Sequence, residues 1–266
     1  YETVWAPTGV AGNWVDYMVW TQIRDAFAAG KNVMIFGDAN LAYSIDIPAG
    51  LILQVEGDLT TSSAGNVTGN GTLRVHGTFY ANTDIRVATY AEDLRTANNI
   101  GIYANIHVQE QADLGRNDAN DGAITIGTGV HLCARNADNL GYAIRVVDDV
   151  DNYGHVETTG DIYYAAAFRD LSANSMIING DMVFGTNGSL TVGSGTTYTG
   201  NVTVLGGTVT AVSGATGVSL TVDNGTVALG TGSSIDLRAG TNTVLTVDNG
   251  AKVDNKGKVD VLGTFV

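Results

Sequence analysis

Between Arg145 and His155 the chain gathers five chemically capable side chains: Arg145, Asp148, Asp149, Asp151 and His155. Adjacent carboxylates can share the work of a general acid and a general base at a glycosidic bond, or hold Ca2+ beside a guanidinium. The same residues also read as a turn whose acidic side chains accept hydrogen bonds from nearby backbone N–H groups. The segment Val150-Asp151-Asn152-Tyr153-Gly154-His155-Val156 returns as Val253-Asp254-Asn255-Lys256-Gly257-Lys258-Val259, with the histidine gone. A pattern that survives the loss of its chemical group serves the backbone. No catalytic residue is therefore assigned; Arg145, Asp148, Asp149 and His155 stand only as the set an enzymatic alternative would use.

A second acidic set comprises Asp113, Asp118 and Asp121. Placing Gly122 at the glycine of an EF-hand loop puts Ala119 on a ligand position, which rejects that loop. No cofactor is expected, and an irregular Ca2+ site on the three aspartates is the alternative left open. His76, His107, His131 and His155 lie far apart without metal-ligand spacing, so they read as surface or turn residues and no other metal site is expected. Seven of the eleven tyrosines fall between Tyr80 and Tyr164, suited either to stacking on sugars or to covering a core. Cys133 is the only cysteine, which excludes an intrachain disulfide, and His131-Leu132-Cys133-Ala134 reads as a strand with a small buried thiol.

The elements that must position these groups come from internal repeats. Leu53-Gln54-Val55-Glu56-Gly57 is echoed by Leu73-Arg74-Val75-His76-Gly77, twenty residues on, and Leu220-Thr221-Val222-Asp223-Asn224-Gly225 by Leu245-Thr246-Val247-Asp248-Asn249-Gly250, twenty-five on. Gly followed by Asp or Thr recurs at Gly57, Gly71, Gly77, Gly160, Gly180, Gly207, Gly225 and Gly263. Each unit is a short alternating run, a turn and another run, which means strands with one buried face. Coils of three such strands stack into a parallel β-solenoid, with Leu53 over Leu73 and Val55 over Val75; an antiparallel sandwich or barrel is the alternative. The fold expected is all-β: a single-stranded parallel β-helix over 33–266 behind an N-terminal cap over 1–32. Val19, Ile23 and Phe27 mark an amphipathic capping helix that stops at Gly30. Residues 82–122, including Tyr90 to Arg95, read as irregular loops with a few coil strands such as Ile102 to Val108.

Composition narrows the function. Of 266 residues, 15% are charged, 35 are Gly and only 2 are Pro, which excludes both a disordered chain and collagen. A net charge of −14 makes nucleic acid a poor partner, and no apolar run is long enough to span a bilayer.

The opening helix ending Ala28-Ala29-Gly30, followed by Ile47-Pro48-Ala49-Gly50-Leu51-Ile52-Leu53-Gln54-Val55-Glu56-Gly57, resembles the start of secreted right-handed parallel β-helix proteins. The Asn-x-Gly-x-Val coils resemble microbial adhesins and other surface proteins of that kind, including sheath, surface-layer and filament subunits, and polysaccharide lyases. Asp148-Asp149 with His155 resembles the pectin-hydrolase pattern, but no Asn-Thr-Asp triplet precedes it, no Arg-x-Lys follows, and Gly154-His155 reverses the expected order. The resemblance implies an extracellular or cell-surface setting, with a leader already removed before Tyr1, and a structural, self-assembling, non-enzymatic role. A polysaccharide-binding adhesin or a β-helix lyase or hydrolase is the alternative. Expected partners are further copies of the chain, with surface glycans second. In axial assembly Phe265 and Val266 would meet Trp5, Trp14, Val19 and Trp20 of a neighbour, while the low-charge stretch from Leu171 to Ala251 would pack laterally.

Overall fold

Ile106–Val108, Ala112–Leu114 and Ile124–Ile126 each bury their first and third residues and leave the middle one partly exposed. Period-two alternation of this kind gives each strand one core face and one outer face. Each strand supplies too little apolar surface to stand alone, and its backbone groups need neighbours. Both needs are met by stacking. The computed structural model describes the backbone of residues 2–5, 13–116, 122–173, 176–194, 197–205, 207–216, 218–222, 225–229, 234–236, 244–247, 252–255, 259–260 and 264–265, with side chains within Trp20 to Ile235.

Among the described residues every pairing between named strands is parallel, and the chain is a parallel β-solenoid with three faces. The first face includes Val33–Phe36, Ile52–Val55, Ile106–Val108, His131–Ala134 and His155–Thr159. The second includes Leu59–Thr60, Ala112–Leu114, Ile144–Val146 and Ile162–Tyr164. The third runs from Ile45–Ile47 through Ile124–Ile126, Val150–Asn152 and Ala167–Asp170 to Thr264–Phe265. The first two faces and the first strand of the third, Ile45–Ile47, belong to one sheet because Val67–Ala81 and Arg86–Thr96 run continuously through the corners, with register shifts at Thr68/Thr72 and Val75/Thr78. Leu53 stacks on Leu73 and Val55 on Val75, as their spacing predicts, and Leu220 aligns with Leu245.

Three features differ from expectation. Tyr90 to Arg95, read as loop, lies inside the strand Arg86–Thr96, because the coil there shortens to sixteen residues (Leu73 to Thr89) and the twenty-residue rhythm no longer applies. The Val150 and Val253 segments are not stacked equivalents: Val150–Asn152 is on the third face and Lys252–Asn255 on the first. The same phrase therefore starts on two different faces. The cap region also contributes a strand, Glu2–Trp5, paired with Val33–Phe36 before the helix intervenes.

The helix Asn13–Ala28 buries Ile23, Ala26 and Phe27 in the core and stops as Gly30 enters the left-handed region at φ 72°. There Lys31 N–H donates to Ala26 O at 3.0 Å and Gly30 N–H to Phe27 O at 2.9 Å, closing the last turn. The Trp20 indole donates to Ser44 O at 2.9 Å and its ring lies 5.9 Å from that of Tyr43. The helix is thereby fastened to the first coils.

The corner entering the second face is built from Gly-Asp stacked on Gly-Asp. Asp58 N–H donates to Asp38 Oδ1 at 2.9 Å, and Thr78 N–H to Asp58 Oδ1 at 2.8 Å. Further along, Asp181 N–H donates to Asp161 Oδ1 at 2.8 Å, and Thr208 N–H to Asp181 Oδ1 at 2.7 Å. A threonine ends each run because it carries no carboxylate for the next coil. A Cβ on Gly180 would stand 2.5 Å from the Gly160 carbonyl carbon, so the coils can approach only without one. Gly180→Ala must displace that peptide, and Asp181→Ala leaves the Thr208 N–H unmet; each is expected to cost about 1–3 kcal/mol. Chemical-denaturation midpoints of the two variants check both.

Candidate functional site

The residues of the enzymatic alternative do not converge. Arg145 lies on the second face, Asp148 and Asp149 at the following corner, Asp151 on the third face and His155 on the first. Asp149 Oδ1 accepts Ala167 N–H at 3.0 Å, Asp148 Oδ1 accepts Asp149 N–H at 2.9 Å, and Asp151 pairs with Arg169 at 2.5 Å. These carboxylates are committed to backbone and to an ion pair. Of the Ca2+ set, Asp118 and Asp121 lie outside the described residues. Asp113 has Arg145 at 3.7 Å and Arg95 at 3.9 Å, cationic neighbours that oppose Ca2+. Of the assembly set, the side chains of Trp5, Trp14, Val19, Phe265 and Val266 lie outside the described residues, and Trp20 is held by its own chain.

The second face does bring functional groups together. Successive coils place Thr60 beside Tyr80, Tyr80 beside Arg95, Arg95 beside Asp113, Asp113 beside Arg145 and Arg145 beside Tyr163. One outward row therefore reads Tyr, Arg, Asp, Arg, Tyr along the solenoid, at the strand spacing of about 4.8 Å per step. Its members Tyr80, Arg95, Asp113 and Arg145 line a groove of about 640 Å3 together with Arg116, which is held by its bond to Asn82 Oδ1, and Tyr163 continues the row outside that lining. Three guanidiniums and one carboxylate make the groove cationic on a chain of net charge −14.

Each member is braced. Gln111 donates to Asp113 Oδ1 at 2.7 Å, leaving Oδ2 toward the arginines. The Arg95 guanidinium sits 5.8 Å from the Tyr80 ring centroid, a cation–π contact that orients it. Tyr142 stacks on Tyr163 at 5.0 Å. Burial, then Tyr163 and Asp161, push the Tyr142 phenol above its ordinary pKa against the pull of Arg145, so it stays a neutral hydroxyl. Guanidiniums bind carboxylate or sulfate, an aromatic face takes a sugar ring, and a carboxylate accepts from hydroxyls. Asp113 is the one carboxylate among the described lining residues, so the paired carboxylates of a glycoside hydrolase are not assembled there.

Comparison with protein-family models, with curated proteins and with solved structures finds no match to this chain. The site therefore rests on its own geometry. Sequence reading noted Tyr80 and Tyr163 only as part of a tyrosine-rich stretch and missed Arg95, Arg116 and the row itself, because a row across coils of unequal length has no constant period. It also scattered the histidines, whereas His107, His131 and His155 stand on three successive coils of the first face. Their even spacing of twenty-four residues, close to a coil length, was the available signal.

The most perturbed carboxyl lies in the core instead of the groove. Asp170 is fully buried, accepts from Asn152 Nδ2 and Asn201 N–H at 2.9 Å each, and has its pKa raised from 3.8 to about 7. Burial is the main cause, and the three donors, including Ser172 N–H, oppose it only in part. Between 3.8 and about 7 the folded state holds a proton that the unfolded state has released, so this group's contribution to stability falls as pH rises through that window. Asp170→Asn is expected to remove that fall. Stability of the native chain relative to the variant should decline from about pH 4 to about pH 7 and then level off, as read from denaturation midpoints across pH.

Proposed function

We propose that the chain is a glycan-binding β-solenoid, and that the second-face groove holds a linear acidic polysaccharide. The observation that carries this reading is the Tyr80–Arg95–Asp113–Arg145–Tyr163 row. Cations and rings repeat along it at the strand spacing, which is near the length of one sugar in an extended chain, so successive sugars can meet successive coils. Acidic polysaccharides are largely extracellular polymers, and the reading carries a secreted or cell-surface setting with it.

Isothermal titration with uronate oligomers, against neutral oligomers of equal length, tests it. Acidic oligomers are expected to bind and weaken as salt rises, and Arg95→Ala or Arg145→Ala to reduce affinity about 10–100-fold, the loss of one charge-assisted contact. Equal binding of neutral oligomers, or variants that bind like the native chain, would reject the reading.

Self-association is a second reading, favoured by the low-charge half of the solenoid. Its outward positions on the first and second faces carry half-buried Ile177, Val183, Thr203 and Thr210, uncharged groups that cost little to desolvate. Sedimentation velocity over a concentration series should then show association that strengthens with salt, as screening relieves the net charge, and that Val183→Lys weakens.

A further inference from the structure

On the first face, parallel pairing sets His131 beside His155 and Cys133 beside Glu157. Alternation turns Leu132 and Val156 into the core and leaves His131, His155 and Glu157 half-buried on the outside. The three polar groups converge. Glu157 Oε2 lies 3.4 Å from His131 Nε2 and 3.8 Å from His155 Nε2, and one ligand atom from each residue falls within 4.8 Å of the others. Donors bound to a tetrahedral ion at about 2.0–2.1 Å stand about 3.3 Å apart, so this set is already close to coordination spacing.

His131 Nε2 is shielded from solvent and has no hydrogen-bond partner in good geometry. A buried polar atom aimed at a carboxylate and a second imidazole without a bond of its own calls for an explanation. The wall behind is firm: His107 meets His131 edge-on at 5.8 Å and stacks on Tyr90 at 4.9 Å. His131 backbone N–H donates to Asn105 Oδ1 at 2.9 Å, which anchors the start of its strand.

We propose that His131, His155 and Glu157 form a binding site for a divalent transition-metal ion of the Zn2+ class. Two imidazole nitrogens and one carboxylate oxygen suit such an ion and disfavour Ca2+ and Mg2+, which take oxygen donors. The fourth position faces solvent, since the three side chains keep 35%, 26% and 44% of their surface exposed. Cys133 is nearly buried and its sulfur is outside the converging set, so it is not a ligand. Because His131 and the other two ligands lie on consecutive coils, a bound ion clips one coil to the next. The site shares no residue with the second-face groove and stands or falls independently of glycan binding.

The test uses the whole chain without an affinity tag, stripped with chelator, then dialysed to equilibrium against Zn2+ or Co2+. Expected are one ion per chain, the strong visible absorption of four-coordinate Co2+, and a Tm that rises with Zn2+ but not with Mg2+. His131→Ala and Glu157→Gln should each weaken binding by more than the about 10–100-fold that follows loss of a group that only orients a ligand. Glu157→Gln changes an exposed side chain and keeps the test open if the histidine variant folds poorly. His76→Ala, at the separate His76–Glu56 pair 3.2 Å apart, and Cys133→Ser should leave affinity unchanged. Absence of stoichiometric binding, native affinity in the Glu157 variant, or loss of binding in Cys133→Ser would overturn the proposal.

Discussion

A backbone N–H in a short parallel strand has no acceptor within its own coil; it must bond to the coil beside it. Along the faces the strand ladders meet that demand, and at the corners, where the ladders stop, side-chain oxygens take over. Asn32 accepts from Ile52, Asp58 from Thr78, Asp84 from Gly101, Asn105 from His131 and Asp181 from Thr208. These acceptors reach one coil forward, and glycine lets the peptides come close enough for the reach to succeed. The rest of the architecture follows from this coil-on-coil satisfaction of polar groups. It makes the core a set of stacked ladders and lets each coil choose its own length, provided its corners return to the same three places.

Chemistry on such a frame is assembled across coils. The groove takes each member of its row from a different coil, and alternation of sign along Arg95, Asp113 and Arg145 relieves the repulsion that stacked like charges would create at strand spacing. The first face does the opposite, stacking His131 on His155 with Glu157 as the carboxylate they share. Both arrangements depend on rigid flat strands, which hold side chains more closely than loops could. The core carries its own polar device in Asn152 and Asp170, adjacent on the third face, where a bond between side chains replaces an apolar ladder.

Much of the fold was legible because equal coils leave equal spacings. Leu53 and Leu73 differ by one coil and read as a ladder at sight, and Ile23 and Phe27 mark the helix that covers the core. Legibility failed where coil length changed. The steps from Leu73 to Thr89 and from Thr89 to Ile106 are sixteen and seventeen residues, and that from Ile106 to Leu132 is twenty-six. Across those steps Tyr80, Arg95, Asp113 and Arg145 share a row that no fixed period reveals. The Val150 and Val253 segments failed in the opposite way. Their likeness is local, and position in the coil had to come from register. Local physics is written in short phrases, whereas placement depends on the summed length of every corner between.

The spacing of the Tyr–Arg–Asp–Arg–Tyr row is set by peptide hydrogen bonds, which side-chain substitution cannot lengthen. The solenoid is thus a graduated scale with its divisions cast into the backbone. A polymer of the proposed kind would be compared with it division by division, and a small discrepancy between its repeat and the coil rise would accumulate with each step. Such a vernier tolerates variation in the decoration of a polymer more readily than variation in its period. Selectivity of this sort grows with the number of coils engaged, so inserting or deleting whole coils would tune it where changing a pocket residue would not.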